Sequence, residues 1–190
     1  MTAEYDDDFQ RCFLAIPVPG EVKGALGTHL AERITLPPIY RLIPPENWHI
    51  TLHFLGDVPR TQRETLVQLV GQIDMPEPFS ATVQQVAGFP NTHRSRLLVA
   101  EMEMAPALND LYERLKEVVI KAGLDAEERA WRPHITLARL RRGRMPSNLP
   151  SSGLNEAMEV SSFSLWASTL TDDGSQYAPL ATWHLGENDR

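Results

Sequence analysis

Two stretches of this 190-residue chain carry the same tetrapeptide, His49-Ile50-Thr51-Leu52 in WHITLHFLG and His134-Ile135-Thr136-Leu137 in RPHITLARL. Only six histidines occur, so a repeated motif built on His is not background. On a β-strand, residues i and i+2 share a face. His49 and Thr51 therefore point one way and Ile50 and Leu52 the other, and the second motif divides in the same manner. The apolar pair anchors each strand, while an imidazole and a hydroxyl face something that is not core. Two imidazoles and two hydroxyls brought together suit chemistry at one phosphorus. Opening a cyclic phosphodiester needs a base for water and an acid for the leaving alkoxide, and His can fill either role near neutral pH. The threonine hydroxyls can donate to non-bridging oxygens, where negative charge collects in the transition state.

The competing reading of His49 and His134 is a pair of structural histidines on similar strands, and Thr51 and Thr136 could reflect β-propensity alone. By simple alternation His53 joins the His49 face, and Arg139 leans away from His134. A zinc reading of HITLH fails, because His49 and His53 would lie about 13 Å apart along a strand, too far for one ion with ~2.0–2.1 Å bonds. No Asp and His cluster of the two-metal type is evident, so no metal is expected. Arginines gather in RLRRGR (Arg139, Arg141, Arg142, Arg144) and in HRSR after His93 (Arg94, Arg96). Arg132 precedes the second motif, where a guanidinium could grip phosphate in a bidentate manner or pair with Glu127 or Glu128. His29, His93 and His184 read as bystanders and the four tryptophans as core, although Trp48 or Trp131 could stack a base.

Elements that would position the motifs follow from periodicity. RCFLAIPV reads as a buried strand, and Gly20 to Ile34 as a helix with Val22, Ala25, Leu26 and Leu30 on one side. PPIYRLIPPEN is a proline-rich connector before the WHITLHFL strand. Thr61 to Glu64 fits a capping box ahead of Leu66, Leu69, Val70 and Ile73, and FSATVQQVAGF is a strand. The second half repeats the order: strand SRLLVAEME, helix Pro106 to Ala122 ended by Gly123, connector DAEERAWRP and strand HITLARL. RGRMPSNLPSSG is a loop, and VSSFSLWAST and YAPLATWHL are strands joined by a turn at Asp172-Asp173-Gly174. The histidines lie 85 residues apart, beyond the spacing of short solenoid repeats. An internal duplication into two αβ halves of the α+β class is expected, in one domain, 1–190.

Bulk composition narrows the setting. The net charge is −7, which argues against coating duplex nucleic acid but not against gripping one phosphate at a chain end. A lone cysteine, Cys12, forbids an intrachain disulfide and reads as a small buried hydrophobe. No run of ~18 apolar residues suggests a membrane span. The opening MTAEYDDD is acidic, unlike a secretory signal, so residues 1–8 are expected to form a solvated arm and the protein to be cytoplasmic.

The paired motifs resemble those of the two-histidine (2H) phosphoesterase superfamily, most closely its bacterial and archaeal RNA 2′,3′-cyclic phosphodiesterase branch, also called 2′-5′ RNA ligase-like. FLAIPVP, PPENWHITLHFLGDV, GFP, RPHITLARL and YAPL follow the family's order across most of the chain. The resemblance implies an α+β fold of two pseudo-twofold-related lobes, each a mostly antiparallel sheet with helices outside and a groove between them. It implies metal-independent opening of a 2′,3′-cyclic phosphate at an RNA end, leaving a 2′-phosphate, with no cofactor and no membrane partner. His49 would then be the acid and His134 the base, with Thr51, Thr136 and Arg132 on the phosphate and Tyr177 and His53 as further contacts. Running backwards, the same pair would ligate. Other readings are a relative acting on a small cyclic phosphate or a 2′-5′ oligonucleotide, and a module that binds RNA ends without cleaving them. The chain is expected to act as a monomer.

Overall fold

The computed structural model describes residues 8–171 and 174–187; residues 1–7 of the expected acidic arm and the tip of the Asp172-Asp173 turn lie outside them. Its elements run β1 (Phe9–Pro17), α1 (Gly20–Arg33), β2 (Tyr40–Leu42), a 3-10 turn (Pro45–Asn47), β3 (His49–Pro59), α2 (Arg60–Val70), β4 (Phe79–Phe89), β5 (Leu97–Met102), α3 (Pro106–Lys121), β6 (His134–Leu140), β7 (Ser152–Val160), β8 (Ser162–Thr171) and β9 (Gly174–His184). The strands form one antiparallel sheet in the order β7-β4-β5-β6-β3-β1-β8-β9, with β2 also paired to β6.

The two motif strands stand at the centre of this order, each at the inner edge of a four-stranded half. The halves are interlocked. Strand β4, which precedes the second repeat, completes the sheet of β5 and β6, while β8 from the end of the chain returns to β1. Buried Ile50, Leu52, Ile135 and Leu137 occupy the core side of the motif strands. Helix α3 covers that side with buried Leu108, Leu111, Leu115, Val118 and Val119. It stops where expected: Gly123 takes φ +76°, Leu124 N–H donates to Val119 O and Gly123 N–H to Ile120 O, the two bonds of a Schellman ending.

Alternation fails at a matching point in each motif strand, and β3 carries a second irregularity further on, where Phe13 pairs with Phe54 but Cys12 with Gly56. Opposite β1, Ala15 pairs with Thr51 but Leu14 pairs with His53, so Leu52 is an extra residue. Opposite β5, Val99 pairs with Thr136 but Leu98 pairs with Ala138, so Leu137 is extra. A bulge of this kind reverses the parity of the residues that follow it, in β3 as far as the second irregularity at Leu55. His53 is consequently turned into the core, 2% exposed, and not onto the His49 face. Phe54 and Arg139 are turned out instead, so Arg139 shares the side of His134 and Thr136. Both sequence expectations for these residues are corrected by the bulges.

Three smaller differences have local causes. Strand β3 runs to Pro59, whose extended backbone caps α2, so Thr61 lies inside the helix and Glu64 pairs with Arg60 (2.9 Å) with no capping box. β2 is a three-residue strand inside the proline-rich connector. β7 begins in the expected loop; exposed along one face and lying at the sheet edge, it lacks the apolar run that marks inner strands.

Candidate active site

Strands β3 and β6 pair directly at one position, Ile50 with Ile135. Extending that antiparallel register sets His49 beside Thr136 and Thr51 beside His134, so each imidazole has the other strand's hydroxyl for a neighbour. The histidines are then diagonal neighbours, a relation that spans about 7–8 Å between backbones. A phosphoryl group with one hydrogen bond on either side fills such a gap.

Both rings are held in one tautomer by matching contacts. His49 Nδ1–H donates to Asn47 O (2.8 Å), and His134 Nδ1–H donates to Arg132 O (2.7 Å). In each case the acceptor is the carbonyl two residues upstream, which leaves Nε2 to meet a substrate. Each ring also rests on a phenylalanine: Phe13 lies 4.8 Å from His49 and Phe89 4.9 Å from His134. Tyr177 stands edge-on to His49 at 5.3 Å. Burial pushes the His49 pKa below the usual histidine range; its carbonyl bond opposes this, and the charges of His134 and Arg139 add to it. Burial likewise lowers His134, its carbonyl bond and Glu101 opposing, Arg132 and Arg139 assisting. With both rings biased to the neutral form, the charge of a bound phosphodiester is what favours a proton on one of them.

A groove of about 580 Å³ runs over the motif face, lined by His49, Thr51, Thr136, Tyr177, Phe13, Phe54, Arg11, Arg41 and Arg139 among others. His134 lines a second recess of about 260 Å³ together with Arg132, Trp131 and Glu101. Arg132 is thus beside His134 but outside the main groove. Its Nη2 pairs with Glu101 (3.0 Å), its Nη1 donates to Pro90 O (3.1 Å), and its guanidinium lies over Phe89. The partner is Glu101, neither Glu127 nor Glu128. Cys12 is buried and its thiol pushed up to about 11 by that burial, as a core residue should be. No helix among the described residues is long and apolar enough to cross a membrane.

A family model described as LigT like phosphoesterase matches this chain twice in succession, over residues 16–99 and 99–177. The chain belongs to the LigT-like phosphoesterase family. Each match contains one His-Ile-Thr-Leu motif, so the duplication visible in the sheet is a property of the family pattern. The RNA 2′,3′-cyclic phosphodiesterase of Escherichia coli (strain K12) is 31% identical over 177 residues, 93% of this chain and 97% of that one. That of Bacillus subtilis (strain 168) is 29% identical over 160 residues, 81% and 85% of the two chains. Among solved structures, Escherichia coli LigT complexed with 3′-AMP superposes with a TM-score of 0.78 at 28% identity, over 95% of this chain and all of that one. TT0787 of Thermus thermophilus gives 0.80 at 28%, over 92% and 97%.

In this phosphoesterase the structure brings His49, Thr51, Thr136 and Tyr177 together in one groove, while His134, whose charge acts on His49, lines the second recess. Of the arginine-rich loop only Arg139 reaches the groove. Sequence reasoning missed Arg11, Arg41 and Phe54. Arg41 is carried by the unpredicted β2, directly opposite Arg139. Arg11 lies 4.9 Å over the Phe54 ring, and Phe54 reaches the groove only through the bulge. Among the described residues none of the three groove arginines has a carboxylate partner.

Proposed function

We propose that this phosphoesterase opens 2′,3′-cyclic phosphates at RNA ends and leaves the phosphate on the 2′ oxygen. His134 Nε2 takes a proton from water as the water oxygen bonds to phosphorus. The bond from phosphorus to the 3′ oxygen breaks, and His49 supplies a proton to that oxygen. Thr51 and Thr136 donate to the non-bridging oxygens, and Arg139 offsets their charge. Arg132, already engaged by Glu101, holds the carbonyl that orients His134. With a 5′-hydroxyl attacking in place of water and the histidines in the same roles, the product is a 2′-5′ phosphodiester, which is 2′-5′ ligation; its reversal, attack by the 3′ oxygen with loss of the 5′ oxygen, exchanges the two roles. The reaction needs no metal, because two imidazoles, two hydroxyls and a guanidinium fill every role. The assignment of acid and base follows the family resemblance.

The observation that carries this reading is the matched pair of rings, each with Nδ1 tied to the backbone carbonyl two residues upstream, on strands joined at the Ile50–Ile135 pair between them. The names of the curated relatives support the choice of substrate. Three unpaired arginines and an exposed aromatic along the groove favour RNA over a small cyclic phosphate. One chain carries both motifs, so a monomer suffices; a single buried thiol suits a reducing cytoplasm.

The test is incubation with an oligonucleotide ending in a 2′,3′-cyclic phosphate, with and without excess chelator. Expected is a 2′-phosphate product, undiminished by chelator, with turnover better on the oligonucleotide than on a dinucleotide. An intact cyclic phosphate means that the groove only binds RNA ends. Loss with chelator, restored by a divalent ion, refutes the mechanism.

A further inference from the structure

The two-histidine reading depends on a distance that the sheet itself secures poorly. The motif strands share one ladder pair, Ile50 with Ile135. At the end of the groove where His49 meets Thr136, a second tie exists, since β2 pairs with β6 and Ile43 N–H donates to Leu137 O (2.8 Å). At the other end, where Thr51 meets His134, the tie is a side chain. Trp131 Nε1–H donates to Thr51 O (3.1 Å).

The indole making that bond is held from behind. Trp131 lies flat on Tyr112, centroids 4.3 Å apart and planes within 5°. Tyr112 lies on His53 at 4.4 Å and 18°, and His53 Nε2–H donates to Tyr112 O (2.9 Å). The contacts close a circuit: from Thr51 along the chain to His53, across α3 through Tyr112, to Trp131 and back to Thr51 O. Trp131 also begins the Trp131-Arg132-Pro133-His134 lead into β6. The Arg132 carbonyl, one residue along, is the acceptor that fixes His134 Nδ1–H. Met102 N–H donating to Pro133 O (3.0 Å) pins the far side of the same lead.

The geometry points to Trp131 as a positioning residue that sets the separation of Thr51 from His134 and holds His134 in its Nδ1–H tautomer. His53 and Tyr112 form its bed. This rests on the two-histidine reading of the site. Trp131 touches neither reacting atoms nor His49; it acts through the Thr51 and Arg132 carbonyls. Its loss therefore disturbs one imidazole and spares the other, an asymmetry that general loosening would not produce.

The experiment compares W131A and W131F with wild type in two measurements. Imidazole 15N–1H spectra at pH 8, where both rings are neutral, report the tautomers. Expected in W131A is a mixture of tautomers at His134 while His49 keeps Nδ1–H. The kinetic expectation is kcat down about 100-fold with KM within about threefold, the scale of misplacing a catalytic group by about 1 Å. W131F keeps the ring on Tyr112 and lacks the N–H; a kcat loss of about tenfold is expected, a partial rescue. A W131A that leaves His134 as Nδ1–H with kcat within twofold of wild type overturns the proposal. Should W131A fail to fold, a W131F with wild-type kcat and tautomers overturns it instead. Absence of cyclic-phosphate opening by wild type refutes the proposed function, and the tautomer spectra then judge Trp131 alone.

Discussion

Arg11, Arg41 and Arg139 make the groove cationic on a chain of net charge −7, and that contrast can be measured as a salt dependence. Each phosphate contact on single-stranded nucleic acid contributes a slope of about −0.7 to log K against log salt. Three contacts give about −2.1, so raising salt from 50 to 200 mM weakens oligonucleotide binding about 18-fold. R41Q removes one contact, which lowers the slope to about −1.4 and the loss to about sevenfold. R132Q is the control. Its guanidinium is already neutralised by Glu101 at 3.0 Å, so the slope stays near the wild-type value. The assay is fluorescence anisotropy of a labelled oligonucleotide 2′,3′-cyclic phosphate on an H49A H134A background, which blocks turnover. Equal slopes for R41Q and wild type would show that Arg41 touches no phosphate. A flatter slope in R132Q would show that the pair with Glu101 opens to take substrate, and the reasoning from the static contacts would be wrong.

Separate H49A and H134A changes are expected to lower kcat by about 10²- to 10⁴-fold each. The double variant should lose far less than the product of the two, because the pair acts as one unit; melting temperatures near wild type would place the loss in chemistry. H53F keeps a ring on Tyr112 and removes a buried Nδ1 that has no partner among the described residues. Burial depresses the His53 pKa, so the unfolded chain takes up a proton that the folded chain refuses as pH falls below about 6.5, and stability falls with it. H53F should remove up to about 1.4 kcal/mol of stability loss per pH unit in that window. Urea unfolding at pH 7.5 and 5.5 measures the difference, and an unchanged difference would show that His53 titrates normally in the fold.

The parts of this fold that sequence made legible are those where side-chain chemistry and backbone period agree. α3 is an apolar stripe with a glycine at its end, β1 an apolar run that stops at prolines, and the two motifs an alternation that holds for four residues. What escaped was set by backbone departures from period. The extra Leu52 and Leu137 leave no mark in composition, yet they decide that His53 is core and Arg139 lines the groove. β2 is three residues whose pairing exists only because β6 lies next to it, so Arg41 had no local signal. Arg132 carried the right residue type, but its partner Glu101 lies 31 positions away and becomes its neighbour only when β5 pairs with β6.

The same bulge on both motif strands has a chemical consequence. A strictly twofold groove would accept a cyclic phosphate in two orientations, exchange acid and base between them, and release either oxygen. Here the shared backbone device exports Phe54 on β3 and Arg139 on β6. Arg139 lies beyond the rung of His49 and Thr136, and Phe54 beyond the rung of Thr51 and His134. One end of the groove therefore carries the paired Arg41 and Arg139, and the other carries Phe54 with Arg11 over its ring. A nucleobase stacked on Phe54, worth about 1–3 kcal/mol, can favour one orientation by about five- to 150-fold and so decide which oxygen leaves. An F54A R139A variant that still turns over should yield a mixture of 2′- and 3′-phosphate ends, read by phosphorus NMR of the product. A pure 2′-phosphate product from that variant would place the origin of regiochemistry elsewhere, in the unequal surroundings of the histidines themselves: Tyr177 against His49, and the Glu101–Arg132 pair against His134.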